Sequence, residues 1–213
     1  YSKIDAGKMT LEKIEFSLEE LISSVSDVLA SRVDQKGLEC SFSIDEDVPP
    51  YLFGDQEKLR QVLINLTSNA IKFTQQGNIS VKIEPVRVTQ STVSPLINRM
   101  RFTVEDTGCG IPEDEMSMIF EPFWSRASRV AVDASTGLGL NICKQLLELM
   151  GGEIEVKSAL GEGTSFSFVV PLDVVLEPTI KPNRKEFANL PTSFSGNVMV
   201  VDDNQTNLLL AKM

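Results

Sequence analysis

Asn65, Asn69 and Lys72 follow one another at i, i+4 and i+7 within DQEKLRQVLINLTSNAIKFT, residues 55–74. On a helix that spacing stacks them in one stripe. Carboxamide oxygens are hard, neutral ligands that suit magnesium, and an ammonium offers a point charge to phosphate. A solvated polar face has the same composition, and this segment alone does not choose between the two. A second group is D-x-G-x-G at Asp106, Gly108 and Gly110. An acid there can accept hydrogen bonds from the exocyclic amine of a base while the glycines let backbone come close. Turns of this composition also occur with no ligand at all. It is not the dinucleotide fingerprint, which needs a third glycine and a following helix. A third group, Thr136-Gly137-Leu138-Gly139, precedes LNICKQLLELM. Glycine amides at a helix N-terminus form a cradle for phosphates, or simply a tight way into a helix. No Gly-Lys-Ser/Thr follows, so it is not a Walker loop. Gly161-x-Gly163-Thr164 reads as a turn between two strands.

The elements that must hold these residues follow from periodicity. Leu59, Val62, Leu63, Leu66, Ala70 and Phe73 recur at three- and four-residue steps and give the 55–74 helix its apolar side, with Asp55 as its cap. An earlier helix runs from Ser17, in a capping box with Glu20, to Lys36, where Gly37 stops it; its apolar positions are Leu21, Ile22, Val25, Val28, Leu29 and Val33. Strands are expected at 11–17, 38–44, 79–88, 100–106, 153–158 and 164–172, with Pro49-Pro50 as an extended lead into the 55–74 helix and 89–98 as a loop. Asp106 then closes a strand, and Gly137 and Gly139 open a helix that Gly151-Gly152 ends. Mixed strands and helices without strict βα alternation favour an α+β fold: a two-layer α/β sandwich, a mixed sheet covered by helices on one face.

Composition narrows the chemistry. The 213 residues are 42% hydrophobic and 23% charged, as in an ordinary soluble globular protein. A net charge of -10 argues against nucleic acid or an anionic membrane as the main partner. There is no histidine, which excludes Ser-His or Cys-His machinery and histidine-ligated metals from this chain. Cys40, Cys109 and Cys143 form no C-x-x-C pair and read as reduced thiols, Cys40 and Cys143 as core, Cys109 as a residue that could face a pocket. The chain starts at Tyr1 without a methionine and is expected to be part of a longer, cytoplasmic protein whose upstream segments could reach a membrane.

Taken in order, the Asn-Lys helix, D-x-G-x-G, F-E-P-F, G-x-G and G-x-G-T closely resemble the catalytic and ATP-binding domain of histidine kinases, in the superfamily shared with gyrase, Hsp90 and MutL. NLTSNAIKFT resembles the N box, VEDTGCGIP the first glycine box, FEPF the F box, TGLGLNICKQLLELMGGEIEV the second glycine box and GEGTSF the last. The resemblance covers residues 11–172 and implies the Bergerat-type ATP-binding fold. It implies that Asn69 is a magnesium ligand, that Asn65 and Lys72 lie at the phosphates, and that Asp106 binds the adenine amine. Gly108 and Gly110 would admit the base, Gly137 and Gly139 would offer amides to the phosphates, and Thr164 would support the adenine end. Phe73, Ile111, Phe120, Thr136, Leu138 and Leu140 lie in the same boxes and would complete the nucleotide lining. Residues 125–135 correspond to the ATP lid, with Arg126 and Arg129 as phosphate contacts; this lid departs from the commoner Ser/Thr-rich pattern.

The flanks fit the same family. SKIDAGKM, within residues 1–10, resembles the end of the dimerisation and phosphotransfer helix, 173–196 reads as a proline-bearing linker, and 197–213 resembles the opening of a receiver domain. Asp202 and Asp203 would belong to that receiver's magnesium-binding acidic cluster. The resemblance implies a hybrid kinase, a homodimer in full, that uses Mg2+ and ATP to phosphorylate a histidine on its own helical domain and relays the group to a receiver aspartate and a downstream phosphotransfer or response-regulator protein. A conformational ATPase of the gyrase or Hsp90 kind is the rival. Those enzymes carry a glutamate where Asn65 stands, and an asparagine cannot take a proton from water. A nucleotide-binding scaffold without catalysis is the third reading.

Overall fold

A computed structural model describes residues 10–86, 97–124 and 137–179. The helix tail expected within 1–9, most of the 89–98 loop, the lid segment with Arg126 and Arg129, Thr136 and the expected receiver start with Asp202 and Asp203 lie outside the described residues.

Local chemistry sets the two long helices. Helix α1, Leu18–Lys36, begins where Ser17 Oγ accepts the amide of Glu20 at 3.3 Å and stops where Gly37 takes the left-handed conformation, φ 63°. It buries Leu18, Leu21, Ile22, Val25 and Leu29. Val28, expected in that stripe, is 53% exposed: it sits at the stripe's margin, where the packing surface has already turned away. Helix α2, Gln56–Phe73, is capped by Asp55, whose carboxylate accepts the Lys58 amide at 3.0 Å. Its buried side is Leu59, Val62, Leu63, Leu66, Thr67, Ala70 and Ile71. Each of the Leu, Val and Ile side chains contributes roughly 1.5–3 kcal/mol on full burial. Helix α3, Gly139–Leu149, completes the layer.

Seven strands form one sheet: β1 (Ile14–Ser17), β2 (Glu39–Ile44), β3 (Tyr51–Gly54), β4 (Asn78–Pro85), β5 (Ile97–Asp106), β6 (Glu153–Ala159) and β7 (Gly163–Val174). The order is β1-β3-β7-β5-β4-β2, with β6 beside the first half of β7. β2 and β4 run parallel and every other pair is antiparallel, so the sheet is mixed as expected. Ile79, Val81, Ile83, Met100, Phe102, Val104, Phe166, Phe168 and Val170 point into one core with the three helices, and Phe102 stacks on Phe168 at 4.9 Å. On the other face, Thr103 and Ser167 bond to each other at 3.1 Å. Strand β3 is absent from the sequence reading, which has only an extended lead at Pro49-Pro50. Four residues with one buried side chain, Leu52, are too few for periodicity to show; their pairing with β1 and β7 makes them a strand.

Candidate functional site

Four strands end side by side, and one residue from each forms a row across the inner face. Ile79 of β4 stands opposite Asp106 of β5, Asp106 opposite Thr164 of β7, and Thr164 opposite Ser158 of β6. Asp106 is 7% exposed, and its Oδ1 accepts the Gly108 amide at 2.8 Å, the Asx turn that D-x-G favours. Burial holds the Asp106 carboxyl above its ordinary range, partly offset by the amides of Gly108 and Thr164. Ser158, which the sequence reading treats as an ordinary strand residue, contacts Thr164 Oγ1 at 2.9 Å and accepts the Ile111 amide at 2.8 Å. A serine in a strand carries no signal by itself; only the register that sets it opposite Thr164 reveals it.

The glycines around this row are explained first by protein packing. A Cβ on Gly108 would stand 2.6 Å from the Phe73 carbonyl oxygen, and one on Gly110 (φ 67°) would overlap the carbonyl of Ala159. Gly163 (φ 107°) is pressed in the same way on the carbonyl of Asp106. The first glycine box is therefore the place where the end of α2, the end of β5 and the β6–β7 turn meet. Two backbone bonds seal it: Cys109 N–H to Phe73 carbonyl at 3.3 Å and Gly161 N–H to Cys109 carbonyl at 2.9 Å. Cys109 itself is exposed, with Sγ 3.6 Å from the Gly110 carbonyl.

The polar stripe of α2 is present as expected: Asn65, Asn69 and Lys72 are all half-buried on one side of the helix. Cys143 of α3 is fully buried with Sγ 4.0 Å from the Val62 carbonyl, and desolvation, partly offset by Asn65, pushes its thiol up to about 12, so it is inert core; Cys40 is half-buried against the core, and burial raises its thiol too. Lys72 Nζ lies 5.4 Å from the Phe73 ring centroid. The last turn of α2 is held by a residue that sequence reasoning passed over. Lys36 Nζ, from the end of α1, donates to the carbonyls of Ile71 at 2.7 Å, Lys72 at 2.9 Å and Thr74 at 3.1 Å. A cation on the negative end of the helix satisfies carbonyls that have no intrahelical partner. A hollow of about 370 Å³ lined by Glu57, Lys58, Arg60, Gln61, Ile64, Asn65 and Leu146 opens along the first half of α2 and shares only Asn65 with these residues.

Helix α3 begins as the second glycine box predicts. Leu138 makes no side-chain cap, so the first amides of the helix have no side-chain acceptor there. Gly137 (φ 66°) is required by the carbonyl carbon of Phe123 and the carbonyl oxygen of Trp124, each 2.7 Å from where a Cβ would be. Gly139 differs: a Cβ there would meet nothing within 4 Å. Phe120 packs edge-on against Phe166 at 6.5 Å, and its carbonyl accepts from Asn141 Nδ2 at 2.9 Å, which ties the F box to α3. Leu140 and Ile111 are half-buried against the core.

An acid at a strand end, a stripe of carboxamides and an ammonium, and an uncapped helix N-terminus with bare glycine are groups of the kinds that a base and its phosphates take. Residues 54–174 match the family described as histidine kinase-, DNA gyrase B- and HSP90-like ATPase. The chain belongs to that family. It is 36% identical to the hybrid signal transduction protein dokA of Dictyostelium discoideum, over 99% of this chain and 13% of that protein. It is 39% identical to the signal transduction histidine-protein kinase BarA of Escherichia coli K12, over 84% of this chain and 19% of that protein. The chain thus spans less than a fifth of the length of these curated relatives. Among solved structures it resembles full-length ShkA in complex with AMPPNP (TM-score 0.69, 29% identity, 82% of this chain and 34% of that one). It also resembles the catalytic domain of the histidine kinase ThkA (TM-score 0.58, 30% identity, 75% of this chain and 97% of that one).

Proposed function

We propose that residues 11–172 bind Mg-ATP and deliver its γ-phosphoryl to a histidine on an adjoining helical domain, the first step of a hybrid-kinase phosphorelay. The supporting observation is Asn65. It opens the half-buried polar stripe of α2 and has no capacity to accept a proton from water. Such a site serves an acceptor that is itself a nucleophile better than it serves hydrolysis. Since the chain has no histidine, the acceptor belongs to another segment.

In this reading Asp106 takes the adenine amine, Thr164 backs it, and the amides at the start of α3 with Lys72 hold the phosphates. Phosphoryl transfer needs positioning and charge neutralisation rather than covalent help. Magnesium fits the donor set: it keeps most of its waters and takes one or two protein oxygens plus phosphates, and the half-buried carboxamide of Asn69 offers such an oxygen. Among the described residues no group of three or more His, Cys, Asp or Glu side chains is placed to hold a metal ion. Bound there, the ion would draw charge from the phosphates. Residues 1–10 are read as the end of the dimerisation and phosphotransfer helix, 173–196 as a linker and 197–213 as the start of a receiver with Asp202 and Asp203 in its acidic cluster. Thr136, Arg126 and Arg129 are read as further phosphate contacts. The chain is read as cytoplasmic in a homodimeric whole; no helix among the described residues is long and apolar enough to cross a membrane.

The test is to mix the chain with Mg-ATP and a histidine-bearing helical domain. Acid-labile phosphate on that domain, with slow ATP turnover by the chain alone, is the expected result. Rapid steady hydrolysis would favour the conformational ATPase, and nucleotide binding with neither activity would favour a scaffold.

A further inference from the structure

Ser158 has every hydrogen-bonding capacity filled. Its Oγ donates to the Gly163 carbonyl at 2.7 Å, accepts the Ile111 amide at 2.8 Å and contacts Thr164 Oγ1 at 2.9 Å. A hydroxyl has one hydrogen and two acceptor sites. With the hydrogen on Gly163 and one site taken by Ile111, the third contact can only be Thr164 donating its own hydrogen into the remaining site. Thr164 Oγ1 is thereby left with lone pairs and no hydrogen. Its neighbour in the row, Asp106, is an acceptor without a donor when ionised.

We propose that Ser158 is a positioning residue for nucleotide specificity: it turns the Thr164 hydroxyl so that the side chains at the base end of the site present acceptors alone, selecting a 6-amino purine over a 6-oxo purine. This deepens the ATP-binding reading and rests on it. Adenine brings amine hydrogens to such a row. Hypoxanthine and guanine bring a carbonyl oxygen, and acceptor then faces acceptor in a buried place where an unpaired polar group costs most. Sites whose hydrogen-bond polarity is fixed discriminate far better than sites whose hydroxyls can rotate to suit. The direction here is enforced by backbone: Ile111 follows Gly110 in the first glycine box and Gly163 starts β7, so the same turn contacts that shape the box also orient the hydroxyl.

Without the serine oxygen, the Thr164 hydroxyl is free to swing. Cross-strand neighbours are close enough for it to donate to the Asp106 carboxylate, in competition with adenine, or to a 6-oxo group. Both changes move preference in one direction.

The experiment measures Kd for ATP and for inosine triphosphate, with magnesium, on the 213-residue chain. The unaltered chain should prefer ATP, Ser158→Ala should reduce that preference by about fivefold or more, and Ser158→Thr should restore it. Ser158→Cys keeps the volume but bonds weakly, so it should shift the ratio the same way and serves if Ser158→Ala does not fold. Thr164→Val gains no donor and should keep a ratio well above that of Ser158→Ala. A ratio unchanged in both Ser158→Ala and Ser158→Cys, or a Thr164→Val ratio that relaxes as far as theirs, overturns the proposal while leaving the ATP reading intact. Failure of the unaltered chain to bind either nucleotide overturns the ATP reading itself.

Discussion

The amide of Gly108 donates to Oδ1 of Asp106 at 2.8 Å, so a buried carboxylate is oriented by its own turn and keeps acceptor capacity for something else. That capacity has a cost for folding. The folded-state pKa of Asp106 is raised by burial, so its contribution to stability is fully present below the unfolded value, about 3.8, and is lost as pH rises through the folded one. At neutral pH the ionised side chain therefore opposes folding. Asp106→Asn keeps an oxygen for Gly108 and removes the charge. It should raise the melting temperature by a few degrees at pH 7, roughly what 1 kcal/mol gives in a domain of this size, and lose that advantage near pH 3.5. Nucleotide affinity should fall about tenfold or more, because an amide can turn a donor toward the adenine amine. Thermal unfolding at the two pH values and ATP titration check both halves; a destabilised Asp106→Asn at pH 7 contradicts the burial argument.

Gly110 and Gly139 belong to different glycine boxes and should fail differently. Alanine at Gly110 would need a left-handed conformation and would overlap the Ala159 carbonyl, so Gly110→Ala should destabilise the fold by about 1–3 kcal/mol and weaken binding as a consequence. Gly139 opens α3 onto empty space. Gly139→Ala should leave stability unchanged or slightly improved, since alanine is the better helix former. If phosphates approach the first amides of α3, that methyl group stands in their way and ATP affinity should drop with the fold intact. Urea unfolding beside nucleotide titration separates the two; full ATP affinity in Gly139→Ala would remove α3 from the phosphate site.

Asn69→Ala tests the metal assignment without any transfer assay. ATP binding by the unaltered chain should be stronger with magnesium than with a chelator, and Asn69→Ala should lose most of that difference, about tenfold in Kd, while retaining metal-free binding. Because Asn69 is only half-buried, melting temperature should move little. Equal magnesium dependence in both proteins would place the ion on other ligands.

The stripe and the glycine boxes are legible in the chain because each is a short pattern within one or two elements, whereas the row across four strands is set by register. The cap at Asp55, the stop at Gly37 and five core positions of α2, Leu59, Val62, Leu63, Leu66 and Ala70, follow from local rules, and the two-layer mixed-sheet fold from element order; Phe73, expected on the same side, is 38% exposed, and Ile71 is buried in its stead. What escaped notice is what register and tertiary contact create. β3 has too few residues to show a period, Val28 obeys the helical spacing yet faces out, and Ser158 and Lys36 acquire meaning only from partners on other elements. The resemblance gives Gly108 and Gly110 a part in admitting a base; the carbonyls of Phe73 and Ala159 that crowd them come from other elements and have no signal in the sequence.

Lys36 carries the last prediction. Its ammonium is the meeting point of the end of α1 and the end of α2, and it bonds the carbonyls of both Ile71 and Lys72 at the turn that presents Lys72 and Phe73. The carbonyl of Phe73 in turn receives the Cys109 amide from the first glycine box. Lys36→Met keeps the aliphatic stem and removes three charge-assisted bonds, one of them to the exposed Lys72 carbonyl and two to partly buried ones. It should destabilise the domain by about 1–3 kcal/mol. Amide exchange should rise at Cys109, whose carbonyl partner sits in the loosened turn, more than at Val25 or Leu29 in the middle of α1. Nucleotide affinity should weaken alongside, since the same turn sets Lys72. Uniform exchange across α1 and the glycine box would mean that Lys36 only stabilises the fold as a whole and does not hold the site's geometry.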